Sequence, residues 1–167
     1  ESLTSQFAYP YGRCATSDTG KAPVLPGVTA AQLQQWWQIG LAAEIVGAMH
    51  SAIDLTVEYV KNRRQFNRPL GSFQVIQHRL SECTVLLHAA RLLTYKAAWS
   101  GEPSDAALAA TYAQDAAVRV VYETHQFHGA IGLTLEYPLH YWTNRLRRLQ
   151  GELGGASQQG ARAAQAL

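Results

Sequence analysis

Ala42, Val46, Met49, Ile53, Val57 and Val60 recur at steps of four and three residues, and no other feature constrains the folding of this chain as tightly. That spacing lays one apolar stripe along a helix, whereas a half-buried strand would need strict alternation. A single stripe must bury itself against others, and the chain supplies them. Ile76, Leu80, Cys83, Leu87, Ala90 and Ala97 form a second, Tyr112, Ala113, Ala116, Val120 and Phe127 a third, and Leu139, Trp142, Leu146 and Leu149 a fourth. The connectors between them are short. The chain therefore predicts an all-α fold, an antiparallel four-helix bundle over residues 29–167 preceded by an irregular segment.

The helix boundaries follow from local chemistry. After Pro26-Gly27, Thr29 and Gln32 have the spacing of a capping box, so the first helix starts there and runs to Arg63 and Arg64. Ser72 is placed to cap the second helix, which Gly101 ends; Glu102-Pro103-Ser104-Asp105 opens the third, which stops at Gly129 and Gly132. Pro138 opens the fourth, and Gly151, Gly154, Gly155 and Gly160 are expected to weaken helicity beyond it. The alanine-rich third stripe implies close helix approach. Residues 1–28 are aperiodic and punctuated by Tyr9-Pro10-Tyr11-Gly12 and Pro23 to Gly27, which reads as a tail or as the remnant of a preceding domain; a chain starting at Glu1 suggests a fragment or processed product.

With 167 residues, 47% hydrophobic and 16% charged, the chain is long enough for one real core. A net charge of +2, with dispersed cations, is too mild for a nucleic-acid footprint. Cys83 falls on an apolar stripe, so Cys14 and Cys83 read as free thiols in a reducing compartment, and a cytoplasmic location is expected. No membrane-spanning run and no signal peptide are expected.

Arg63-Arg64-Gln65-Phe66-Asn67-Arg68-Pro69-Leu70-Gly71-Ser72-Phe73-Gln74 joins the first two helices, and it carries more chemistry than a turn requires. Guanidinium groups fork phosphate, phenyl rings offer stacking faces and amides both donate and accept, a set suited to a flat phosphorylated ligand. The plainer reading is a basic helix cap with aromatic plugs at the bundle end.

The same residues resemble a known family. Arg63-x-x-Phe66, Pro69 and Phe73-Gln74, followed by His78, are similar to R-x-Q-F-G-R-P-I-x-x-F-Q in the C-terminal helical domain of acyl-CoA dehydrogenases. Gln126-Phe127-His128-Gly129-Ala130-Ile131-Gly132 and Glu136-Tyr137-Pro138 resemble the family's Q-x-x-G-G-x-G-[FY]-x-x-E-Y-P, and together the two motifs place the resemblance over roughly residues 30–160. It implies a flavoprotein that removes two hydrogens from an acyl-CoA substrate, with a β-rich domain upstream and flavin adenine dinucleotide (FAD) shared across a subunit interface. Arg63 would then meet the FAD phosphates, Phe66 and Phe73 would line the dinucleotide, Gln74 would hydrogen-bond it, and Gln65, Gln126 and the Gly129 backbone would meet the same cofactor, glycine allowing close approach.

The catalytic base is where the sequence departs from the family. Counting from Glu136-Tyr137-Pro138 puts Leu153 at one family position, and counting back from Arg63 puts the other within Gln35-Trp36-Trp37-Gln38, where a substrate-binding Arg is also absent. Glu152, one residue out of register, is the candidate base if the glycine-rich loop slips. Other carboxylates have plainer readings: Glu136 as a helix-end cap, Glu44 as an interhelical partner or a buried base. His125 and His128 lack matched ligands, and no Glu stands three residues before a His as a di-iron bundle requires, so no metal is expected. The reading is a dehydrogenase domain working as a homo- or hetero-oligomer with other subunits of the family; the alternative is a non-catalytic assembly subunit.

Overall fold

The computed structural model describes residues 2–3, 11–12 and 26–166. Two short antiparallel pairs and five helices make it up: β1 (Ser2–Leu3) pairs with β2 (Tyr11–Gly12), then come α1 (Ala30–Asn62), a hairpin of β3 (Arg64–Gln65) and β4 (Arg68–Pro69), α2 (Gln74–Ser100), α3 (Pro103–His128), α4 (Leu139–Leu149) and α5 (Gly155–Gln165). The fold is all-α, as the periodicity requires. The remainder of the expected irregular segment lies outside the described residues.

Local signals set most helix ends. Thr29 and Gln32 form the expected capping box, Pro103 occupies the first turn of α3, and Gly101 closes α2 in the left-handed conformation. Ser72 does not cap α2: its hydroxyl donates back to the Pro69 carbonyl at 2.7 Å within a short turn, Leu70–Ser72, and Phe73 takes the cap position. Packing centres on α3, which touches α1, α2, α4 and α5. Buried Ala106, Ala107, Ala109, Ala110, Ala113, Ala116 and Ala117 explain why one helix can have four neighbours, since a methyl side chain lets backbones come close on every side.

Of the glycines expected to weaken helicity, Gly155 begins a fifth helix and Gly160 lies within it. In α5, Gln159 is fully buried and Gly160 faces Thr111 of α3, so contact with the alanine surface of α3 outweighs weak intrinsic propensity. A second correction concerns α1, which is long and apolar enough by composition to cross a membrane. Half of that stretch is buried, with Ile45, Met49 and Ile53 in the core, so in this fold it serves as the core helix. Cys83 is buried as expected, and burial pushes its thiol up to about 11, the buried Glu123 carboxylate adding to the rise.

Candidate functional site

Backbone hydrogen bonds turn the connector into a tight hairpin. Arg64 lies opposite Pro69 and Gln65 opposite Arg68, leaving Phe66 and Asn67 as a two-residue loop with φ of 51° and 64°. Positive φ at both central residues marks a I′ turn; Asn tolerates it, a phenylalanine does so at a cost. Phe66 is 85% exposed and meets Phe73 edge-on at 6.3 Å, while the Arg68 guanidinium lies 3.8 Å over the Phe73 ring. Arg63 caps α1 through its backbone. Among the described residues no carboxylate pairs with Arg63, Arg64 or Arg68. Gln65 and Gln74 are exposed on the same connector.

The second motif arrives at the same end of the bundle. Val60, Leu80 and Phe127 form one small cluster with Leu70 and Ile76, so the base of the connector and the end of α3 share an apolar seat. Gln126 is exposed beside it, and Gly129 turns the chain with φ 63° and ψ −143°, a region essentially restricted to glycine. A Cβ on Gly132 would sit 2.7 Å from the Cβ of His128, so no side chain fits there. His128 is buried between two tyrosine rings, stacked on Tyr59 at 4.3 Å and tilted against Tyr137 at 4.8 Å. Its Nδ1 donates to the Thr124 carbonyl at 2.8 Å. Burial holds the imidazole below its ordinary range, that bond opposing, and lowers His125 similarly with help from nearby Arg147 and His128.

Beneath this end, Glu123 is fully buried and bridges two helices. Its oxygens lie 2.6 Å from Arg79 of α2 and 2.8 Å from Arg119 of its own helix, and Arg79 also approaches the Phe127 ring at 5.4 Å. Nothing in the sequence announced this clamp, the stacking of Arg68 on Phe73 or the Tyr59–His128–Tyr137 stack. Only the position of Glu123, one helical turn before Gln126 and Phe127, could have drawn attention to it.

Glu152 stands apart from these groups. It lines a pocket of about 410 Å³ between α1 and α4 with Trp37, Gly40, Leu41, Glu44, Arg145 and Leu149. Its side chain is 17% exposed and pairs with Arg148 at 3.1 Å. Glu44 is exposed rather than buried and pairs with Arg145, because its face of α1 looks toward the cationic side of α4. Leu153 is packed against the main core. Gln114, which holds the Glu152 backbone, and Gln126 are twelve residues apart on α3, so the pocket lies roughly 18 Å along that helix from the motif end. The fold thus brings the connector, with Arg63, Gln65, Phe66, Phe73 and Gln74, to the same end of the bundle as Gln126 and Gly129, which line a separate hollow with Tyr122, His125, Leu133 and Arg147, and leaves Glu152 at a second site.

Residues 30–164 match the pattern of the acyl-CoA dehydrogenase C-terminal domain. The chain belongs to the acyl-CoA dehydrogenase family. Acyl-CoA dehydrogenase IpdE2 of Mycobacterium tuberculosis is 38% identical over 127 residues, covering 68% of this chain and 40% of the relative. The short-chain acyl-CoA dehydrogenase of Megasphaera elsdenii is 42% identical over 107 residues, covering 61% and 28%. Among solved structures, butyryl-CoA dehydrogenase from Megasphaera elsdenii superimposes with a TM-score of 0.76 at 34% identity, covering 81% of this chain and 37% of that one. The ChsE4-ChsE5 complex from Mycobacterium tuberculosis gives 0.73 at 30% identity, covering 77% and 36%. The acyl-CoA dehydrogenase domain described here thus spans less than half the length of these relatives, and the two motifs at its connector end fall inside the matched stretch.

Proposed function

We propose that this chain is the C-terminal domain or subunit of a FAD-dependent acyl-CoA dehydrogenase that lends its connector end to a cofactor held mainly by a neighbouring subunit. The observation that carries this reading is the connector itself: exposed guanidinium groups with no carboxylate partner among the described residues, beside a phenylalanine held outward at positive φ. A group made of a pyrophosphate and flat rings fits them. Arg63 would fork the phosphates, Phe66 and Phe73 with Gln65 would line the dinucleotide, Gln74 and Gln126 would donate or accept at its edges, and Gly129 would let the backbone come close. The chemistry that a bound FAD supplies is acceptance of the hydride leaving the β-carbon of an acyl-CoA thioester.

Glu152 is the residue of this chain proposed to hold the α-proton. Its distance along α3 from the connector end supports a division of labour, one end serving a neighbour's cofactor and the other facing this subunit's own substrate. To act as a base it must disengage from Arg148, so substrate binding in the pocket has to compete with that ion pair.

The test uses the assembled flavoprotein with its partner subunit. Glu152→Gln keeps shape but cannot accept a proton, and should abolish substrate-driven bleaching of the flavin while leaving flavin bound. Normal bleaching, with no base supplied by the partner, removes Glu152 from the role. A complex that binds no flavin at all favours a purely structural subunit.

A further inference from the structure

The turn between α4 and α5 is held by side-chain amides of α3 and α5, the second of them braced by an amide of α1. Gln114 of α3, 1% exposed, donates through Nε2 to the carbonyls of Leu149 at 2.8 Å and Glu152 at 2.9 Å. Gln159 of α5, fully buried, donates to the carbonyl of Leu153 at 2.6 Å and accepts from Gln38 of α1 at 2.6 Å. Three successive residues in this turn have positive φ: Leu153 at 54°, Gly154 at 90° and Gly155 at 76°. The two glycines take that conformation freely, and a Cβ on Gly154 would run into the Gln158 side chain. Leucine does not, and its backbone stays there only while its surroundings over-determine it.

Adjacent side chains on such a turn point in different directions, and here the difference is chemical. Glu152 lines the pocket beside Arg148, Glu44 and Arg145, whereas Leu153 packs on the core. Relaxing Leu153 to negative φ would rotate both side chains and break that assignment. We propose that Gln114 and Gln159 are positioning residues, whose grip on the carbonyls of Leu149, Glu152 and Leu153 makes Glu152 rather than Leu153 the residue presented to the α1–α4 pocket. Gln38, donating to Gln159, extends the grip to α1, while Gln114 separately ties the turn to α3. This geometric statement stands without the dehydrogenase; only its catalytic consequence, that the base is Glu152, rests on the reading above.

Single thiols report the two directions directly. In the full chain carrying Cys14→Ser, with native Cys83 buried, Glu152→Cys and Leu153→Cys are labelled with an aromatic disulfide reagent across a pH series. The thiol introduced by Glu152→Cys lies beside Arg148 and should react with a midpoint below the ordinary thiol range; that of Leu153→Cys, in apolar surroundings, should react with a midpoint above it, giving about tenfold slower labelling at neutral pH. Adding Gln159→Met or Gln114→Met, which preserve bulk but cannot donate, should bring the two profiles together. Profiles that already coincide in the parent, or that stay apart in both methionine variants, overturn the proposal. So does loss of the helical circular dichroism in either methionine variant, because the amides would then be general core residues rather than clamps on one turn. None of these readings depends on flavin, so a failure to assemble a dehydrogenase leaves them intact.

Discussion

The connector end and the α4–α5 turn both bend the chain through non-glycine residues at positive φ, yet they spend that strain in opposite directions. At the connector, Phe66 is thrown outward and the cations around it have no acidic partners among the described residues. At the turn, Leu153 is folded inward, its carbonyl and that of Glu152 are satisfied by buried amides, and the charges beside it are paired. An exposed, strained segment whose cations lack acidic partners suits a surface that takes a ligand, and a strained segment whose carbonyls and charges are paired suits one aimed by its own protein.

The comparison breaks most visibly if the support under the connector end is removed. Glu123→Ala removes the charge-assisted bonds to the partly exposed Arg79 and Arg119 and opens a cavity between α2 and α3, and should cost about 3 kcal/mol of stability, a drop of roughly 10 °C in Tm by differential scanning calorimetry. An unchanged Tm would mean that the clamp is not what seats α2 on α3. The next effect falls on the ligand rather than the fold. Arg63→Ala in the assembled flavoprotein should weaken FAD retention by on the order of 2 kcal/mol, tens-fold in affinity on dilution, with the Tm of the isolated chain little changed. If affinity is also unchanged, Arg63 is a helix cap and no more.

A pair of glycine substitutions should give opposite signs. Phe66→Gly relieves strain at an exposed position and should stabilise the isolated chain by about 1 kcal/mol. Leu153→Gly relieves similar strain but forfeits packing against the core, and should destabilise by about 1 kcal/mol. Chemical denaturation of both variants measures the contrast, and two shifts of the same sign would erase it.

The smallest effect is the pH dependence of the motif end. His128 and His125 have folded values below the ordinary imidazole value, so between those values the unfolded chain binds more protons than the folded one. Their contribution is complete above the ordinary imidazole pKa and is lost as pH falls below it toward the folded values. Thermal melts between pH 7.5 and 5.5 should therefore shift downward with acid. His128→Phe, which keeps a ring between Tyr59 and Tyr137, should flatten that slope without abolishing it, since His125 remains. A slope untouched by the substitution would assign the whole effect to other groups.

By itself the sequence determined that this chain is all-α, where α1, α2, α3 and α4 lie, and that Arg63, Phe66, Phe73, Gln74, Gln126 and Gly129 are unusual for their positions. Those facts are local: a 3.6-residue period, a capping box and a glycine needed at one φ are written within a few residues of where they act. Tertiary structure decided the rest. Nothing near Gly155 and Gly160 announces α5, because its stability comes from the alanine face of α3. Nothing near Glu152 announces which way it faces, because that is settled by Gln114, Gln159 and, through Gln159, by Gln38, which lies 121 residues before Gln159 in sequence. Hydrogen bonds to a carbonyl carry no trace in the sequence around that carbonyl, so a side chain aimed by distant amides is visible only once the helices have packed.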